Sequence, residues 1–152
     1  MAAANDLQIV GFRVGRETFG VPITCVHEIV RLPQITTVPD SPDCVEGVIN
    51  LRGKIISVFD LRKRFGASTT TNKKNRVLVA EVEGRLFGLL VDAASEVLKL
   101  PASAIEAPPA LTEGDRNYVT GVAKLDGRLV ILVNLARVLM PEQAVLAAGV
   151  PA

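Results

Sequence analysis

Cys25, His27 and Glu28 lie within four residues of one another, the kind of neighbourhood in which a thiol could be activated by a base. The stretch reads as a short helix capped by Thr24, and on a helix residues two apart point in different directions. A Cys25 and His27 pair is therefore the weakest reading, and an inert Cys25 in a thiol-modification assay would dispose of it. Cys25 and Cys44 form no metal-type or redox-type pair and read as small buried hydrophobes. Paired carboxylates, a metal-ligand cluster and a phosphate loop are also missing from the sequence, which points to binding without turnover and to no metal or cofactor.

Two cationic features remain. Arg62, Lys63 and Arg64 fall in Asp60-Leu61-Arg62-Lys63-Arg64-Phe65-Gly66, a short helix capped by Asp60 and ended by Gly66, and the plain expectation is a solvated face. Arg52 stands before Gly53 between two strand-like runs. A two-residue turn of the mirror-image type favours Asn, Asp or Gly in its first position, so Arg there suggests a partner contact. A three-residue loop with Gly53 left-handed would tolerate Arg with no such role, and both readings stand at this point.

The elements that must carry these residues come from an internal duplication. Gly121 follows Gly47 by 74 residues, and Val45, Val48, Leu51, Gly53 and Leu61 meet Val119, Val122, Leu125, Gly127 and Leu135 at that offset. Earlier in the chain the offset is 68, with Phe19, Gly20, Glu28, Leu32 and Pro33 meeting Phe87, Gly88, Glu96, Leu100 and Pro101. Phe19, Val21 and Ile23 alternate as a half-buried strand does, and so do Phe87, Leu89 and Val91, each run following a turn at Gly15 or Gly84. Arg52-Gly53 and Asp126-Gly127 mark equivalent hairpin tips. The spacing also duplicates candidate caps, Thr24 with Asp92 and Asp60 with Asn134. Pro39 to Pro42 and Pro108-Pro109 read as loops, and Ala67 to Lys74 as a linker.

Many short strands at this spacing predict a mainly β fold of small barrels or sandwiches with short helices. The expected limits are 7–141 for the domain, with two β subdomains at about 7–66 and 75–140, strands exchanged between them being an open alternative. Residues 1–6 and 142–152 are expected to be flexible termini, the latter following a helical turn near Met140.

Composition narrows the partners. Seventeen Lys and Arg balance 16 Asp and Glu, giving a net charge of +1, so no strong field favours nucleic acid or acidic membranes. Aromatic residues make up 4% with no Trp, too few for base-stacking platforms. With 49% hydrophobic residues the chain has the material for a folded core. The start has no signal-peptide pattern and charged residues, Gly or Pro break every apolar run, so a soluble cytoplasmic protein is expected.

Gly47-Val48-Ile49-Asn50-Leu51-Arg52-Gly53 followed by Val58-Phe59-Asp60-Leu61-Arg62 resembles the signature of the CheW-like chemotaxis coupling family. Val26-x-Glu28-Ile29 after Phe19-Gly20-Val21, and Phe87 to Asp92 followed by Glu96-Val97, are similar to the family's other landmarks, and the likeness runs from about Leu7 to Leu139. Ser57 departs from the family's usual Pro. The resemblance implies two five-stranded SH3-like β barrels and an adaptor that links chemoreceptor tips to the histidine kinase CheA in cytoplasmic arrays. It places the receptor in a groove between the barrels and carries that role to Arg52, Val77, Gly88 and Val97. Kinase contacts carry over to Val26, Glu28 and Gly47. A coupling protein of a related chemosensory system, such as one governing twitching motility, fits the same residues. The chain shows no kinase or receiver portion, which sets aside the CheW-like regulatory domain of CheA itself and receiver fusions.

Overall fold

The computed structural model describes residues 6–39, 45–67, 73–107, 118–125 and 127–139. Among the described residues eleven strands follow in order: β1 Leu7–Val14, β2 Glu17–Pro22, β3 Val26–Arg31, β4 Val45–Leu51, β5 Lys54–Asp60, β6 Arg76–Val82, β7 Arg85–Val91, β8 Ala93–Leu100, β9 Ile105–Glu106, β10 Val119–Leu125 and β11 Arg128–Val133. A short helix α1, Leu61–Arg64, follows β5. Residues 135–139, which follow β11, are also helical.

The strands form two sheets, β8-β1-β2-β11-β10-β9 and β3-β6-β7-β5-β4. Neither sheet is made from one half of the chain. Strands β1 and β2 join the later strands β8 to β11, while β6 and β7 join the earlier strands β3 to β5. Each sheet has two junctions between earlier and later strands, one antiparallel, β1 with β8 and β3 with β6, and one parallel, β11 with β2 and β5 with β7.

The duplication extends to hydrogen-bond register. Val48 faces Ser57 in one sheet and Val122 faces Ile131 in the other, both partners shifted by 74. The same irregularity follows, between Val45 and Gly47 and between Val119 and Gly121. Ser57 faces Phe87 where Ile131 faces Phe19, and Ile29 faces Leu78 where Val97 faces Val10. Strand β9 pairs Glu106 with Val122, and its counterpart in the other sheet is the single Thr36 to Val48 bridge. That bridge ties the chain leaving β3 to β4, the opposite edge of the five-stranded sheet.

Period-two alternation explains the packing. Phe87, Leu89 and Val91 of β7 join one large buried cluster, whereas Leu86 and Leu90 turn to a smaller one. The large cluster lies between the sheets and takes Phe12, Phe19, Phe59 and Tyr118, with Phe65 against it. All five Phe and the single Tyr are therefore used in the core, and Phe59 meets Phe87 edge to face at 5.5 Å. Each sheet keeps a smaller cluster of its own, and the two match by offset: Ile9, Ala123, Val130 and Leu132 in one, Val77, Ile49, Ile56 and Val58 in the other.

The caps divide. Asp60 accepts the Arg62 amide at 2.9 Å and Asn134 accepts the Arg137 amide at 3.2 Å, so both serve the helices expected of them. Thr24 and Asp92 do not. Ile23–Cys25 is a single 3-10 turn whose N-cap is Pro22, and β3 begins at Val26, so His27 lies in a strand. After Asp92 the chain goes directly into β8. After Thr24, Val26, Glu28 and Val30 alternate with His27, Ile29 and Arg31, and after Asp92 the exposed Val97 and Lys99 alternate with the buried Leu98 and Leu100, a period of two that outweighs the cap signal. Cys44, Asp126, the two proline loops apart from Pro39, Met140 and most of the linker lie outside the described residues.

Candidate protein-interaction site

Strands β4 and β5 are joined by Arg52 and Gly53 alone, since Leu51 pairs with Lys54. Arg52 has φ 51° and Gly53 φ 88°, the left-handed pair of the mirror-image turn, which excludes the three-residue loop. Asn50 supports the turn by accepting the Gly53 amide through Oδ1 at 2.8 Å. Arg52 thus occupies a conformation that ordinary L-residues avoid.

Its side chain is 71% exposed and forms a two-pronged ion pair with Glu28 on β3, Nη1 to Oε1 at 3.2 Å and Nη2 to Oε2. Hydrogen bonding from Arg52 holds the Glu28 carboxyl below its usual range, and the same bond raises the guanidinium of Arg52. The fork geometry fixes the direction of a cation that would otherwise sweep a wide volume. What results is an oriented, solvent-facing charged pair at a hairpin tip.

The seven residues marked by resemblance do not form one surface. Arg52 and Glu28 meet, although they were assigned to different partners. Val77 is fully buried, and Gly88, which faces Val79 on β6 and Val58 on β5, is buried in the sheet interior close to it. A Cβ at Gly88 would stand 3.0 Å from Val77 Cγ1 and 3.1 Å from Val58 Cγ2, so these two residues set strand packing. Gly47 is buried beside the Thr36 bridge, where a Cβ would collide with the Thr36 carbonyl oxygen at 2.1 Å. Val26 packs partly buried on the shared core, and Val97 on β8 is 47% exposed.

Other exposed apolar residues were not singled out from the sequence. Ile55, beside the Arg52 turn, is 68% exposed, and Leu129, its equivalent at offset 74, is 54% exposed. Ile29 is exposed as well, at the position equivalent to Val97 at offset 68. The signal was present in Lys54-Ile55-Ile56, because Ile56 points inward and its neighbour on the strand must point out.

Arg62 corrects the expectation of a solvated cationic face. It is 3% exposed, binding Asp60 through Nε at 2.9 Å and Nη2 at 3.0 Å, and reaching Asp92 through Nη1 at 3.4 Å. Asp92 Oδ2 in turn accepts the Gly15 amide at 2.6 Å, and its carbonyl accepts Asn75 Nδ2 at 3.2 Å. A buried charge is kept only when paired, and Asp60 plays both partner and helix cap. Lys63, by contrast, is exposed and pairs with Glu46 at 3.1 Å.

His27 Nε2 is 2.8 Å from Glu81 Oε1, both side chains half exposed. This pairing takes the imidazole to a carboxylate on β6 and gives the weak thiol reading no support. Among the described residues no group of three or more His, Cys, Asp or Glu could hold a metal ion, and no helix is long and apolar enough to cross a membrane.

Comparison with known proteins gives a consistent result. The model of the CheW-like domain matches residues 8–142. The chemotaxis protein CheW of Rhizobium meliloti is 35% identical over 138 residues, covering 90% of this chain and 89% of the relative. CheW of Klebsiella aerogenes is 36% identical over 89% of this chain and 82% of its own length. Protein PilI of Pseudomonas aeruginosa is more distant, 31% identical over 74% of this chain and 65% of its own. The crystal structure of the scaffolding protein TtCheW from Thermoanaerobacter tengcongensis superposes with a TM-score of 0.78 at 42% identity, covering 84% of this chain and 88% of that one.

Proposed function

The chain belongs to the CheW-like family, and from that premise we propose that it is a chemotaxis adaptor that couples chemoreceptors to the histidine kinase CheA by binding alone. The observation that carries this reading is the Arg52 and Glu28 pair. An Arg in the left-handed position of a two-residue turn is costly for the backbone, and Asn, Asp or Gly would close the hairpin more easily. Its place there, oriented by Glu28 and open to solvent, fits a recognition group.

The partners proposed are the regulatory domain of CheA and the cytoplasmic tip of a chemoreceptor, with the protein held in the cytoplasm at receptor arrays through those contacts. Residues 7–141 act as one coupling unit in this reading. Receptor recognition is assigned to Arg52 and exposed Val97, while Val77 and Gly88 act by holding the strands in place. On the kinase side Glu28 supplies a contact, and Val26 and Gly47 act through packing. A related chemosensory system is the second reading, favoured by the match to PilI.

Co-sedimentation tests the adaptor role. Vesicles carrying a chemoreceptor should bring down CheA in proportion to the amount of this protein added. Sedimentation of CheA that ignores this protein would contradict it.

A further inference from the structure

The place equivalent to Arg62 in the other half of the molecule is a cavity of about 300 Å3. Its walls include Leu7, Cys25, Glu83, Asn134 and Ala136. At the offsets of 68 and 74 these correspond to Asn75, Ala93, Gly15, Asp60 and Arg62. Of these, Asp60 binds the Arg62 guanidinium, and Asn75 and Gly15 bind Asp92, its second partner. The strand registers on both sides are the same, so the duplicated frame is preserved while Ala136 leaves unfilled the volume that the long side chain of Arg62 takes.

Charge at the cavity is of one sign. Glu81 and Glu83 both line it, and no Lys or Arg lines it among the described residues. Glu81 is already paired with His27, whereas Glu83 stands at the β6–β7 turn with φ 51°. Glu83 and Arg52 are the two non-glycine residues with positive φ among those described. Gly or Asn would close the β6–β7 turn with less strain, so the carboxylate is held at the rim against backbone preference. A volume near 300 Å3 is at the lower end of ligand pockets and suits one long side chain.

We propose that this cavity receives the guanidinium of an arginine side chain on a partner protein, in the position that Arg62 fills from within in the other half. Glu83 meets the charge at the rim, the side-chain carbonyl of Asn134 replaces one oxygen of Asp60, and the apolar wall packs the methylene stem. The site is distinct from the Arg52 turn and does not depend on which partner that turn meets.

Backbone amide NMR of the full chain tests this with the capped tripeptide acetyl-Gly-Arg-Gly-amide against acetyl-Gly-Leu-Gly-amide. The arginine peptide should shift the amides of Cys25, Glu83, Thr120 and Ala136, and the leucine peptide should not. Ala136→Arg, which fills the cavity from inside, should abolish those shifts. Glu83→Gly relieves the turn and removes the carboxylate, so it should fold at least as well and bind the arginine peptide about threefold more weakly or worse. Equal shifts from the leucine peptide, shifts that survive in folded Ala136→Arg, undiminished binding in Glu83→Gly, or no shifts at the cavity would each overturn the proposal.

Discussion

Arg52 and Glu28 join opposite margins of one sheet: Glu28 belongs to the edge strand β3, and Arg52 closes the hairpin that ends with the other edge strand, β4. The Thr36 to Val48 bridge makes a second tie between the same margins, with backbone bonds of 2.9 Å in both directions. The charged pair and the closure of the sheet are thus placed at the same two margins. Variants at the tip can separate them.

Replacing Arg52 by Asn should leave the melting temperature unchanged or slightly raised, because Asn enters the left-handed region more readily. Receptor coupling should fall sharply. Arg52→Asp should couple less well still, since it sets a carboxylate facing Glu28 while suiting the turn. Thermal denaturation beside receptor-dependent kinase activation separates folding from recognition, and variants that couple like the parent would reduce Arg52 to a loop residue.

The carboxyl of Glu28 provides a pH signature. Its folded pKa is depressed by Arg52, so the pair contributes above the unfolded carboxylate pKa and its contribution disappears as pH falls through the folded value. In a carboxyl-carbon NMR titration Glu28 should titrate below an ordinary glutamate, and Arg52→Ala should move it upward. An unchanged midpoint in Arg52→Ala would mean that the pair does not form in solution.

Gly47→Ala should destabilise the protein by about 1–3 kcal/mol or more, since the added Cβ meets backbone that cannot move aside cheaply. The Val48 amide, which donates to Thr36, should lose protection from hydrogen exchange before the remaining β4 amides. A stable Gly47→Ala that has lost kinase binding would instead make Gly47 a direct contact.

Arg62→Ala should cost about 3–5 kcal/mol in urea denaturation, because it leaves Asp60 buried without its cation. Arg62→Lys should recover only part of this, as an ammonium cannot reproduce the paired Nε and Nη2 bonds. Lys63→Ala should stay within about 0.5 kcal/mol, being an exposed pair. A mild Arg62→Ala would show that the network adds little to the fold.

Much of this architecture was legible in residue spacing. Equivalent glycines at the turns, alternating Phe19-Val21-Ile23 and Phe87-Leu89-Val91, and the caps Asp60 and Asn134 act locally, through backbone conformation and side-chain period, so they can be read without knowing what lies across the sheet. Thr24 and Asp92 failed because a cap is only a local preference and the alternation that follows each one commits the chain to a sheet. The burial of Arg62 depends on Asp92, thirty residues away and brought close by the parallel pairing of β5 with β7, and on Gly15 beyond it. Val77 and Gly88 entered the candidate site through resemblance alone, which marks a position without saying whether its side chain faces a partner or the core.

Coupling of a receptor to CheA without turnover is the role proposed for this chain. Its most direct test is the rate of CheA autophosphorylation in receptor-bearing vesicles as the concentration of this protein is raised. The rate should climb and saturate with added protein, and stay at the basal level when receptor is omitted. A rate that is the same at every concentration of this protein, with receptor and kinase both present, would contradict it.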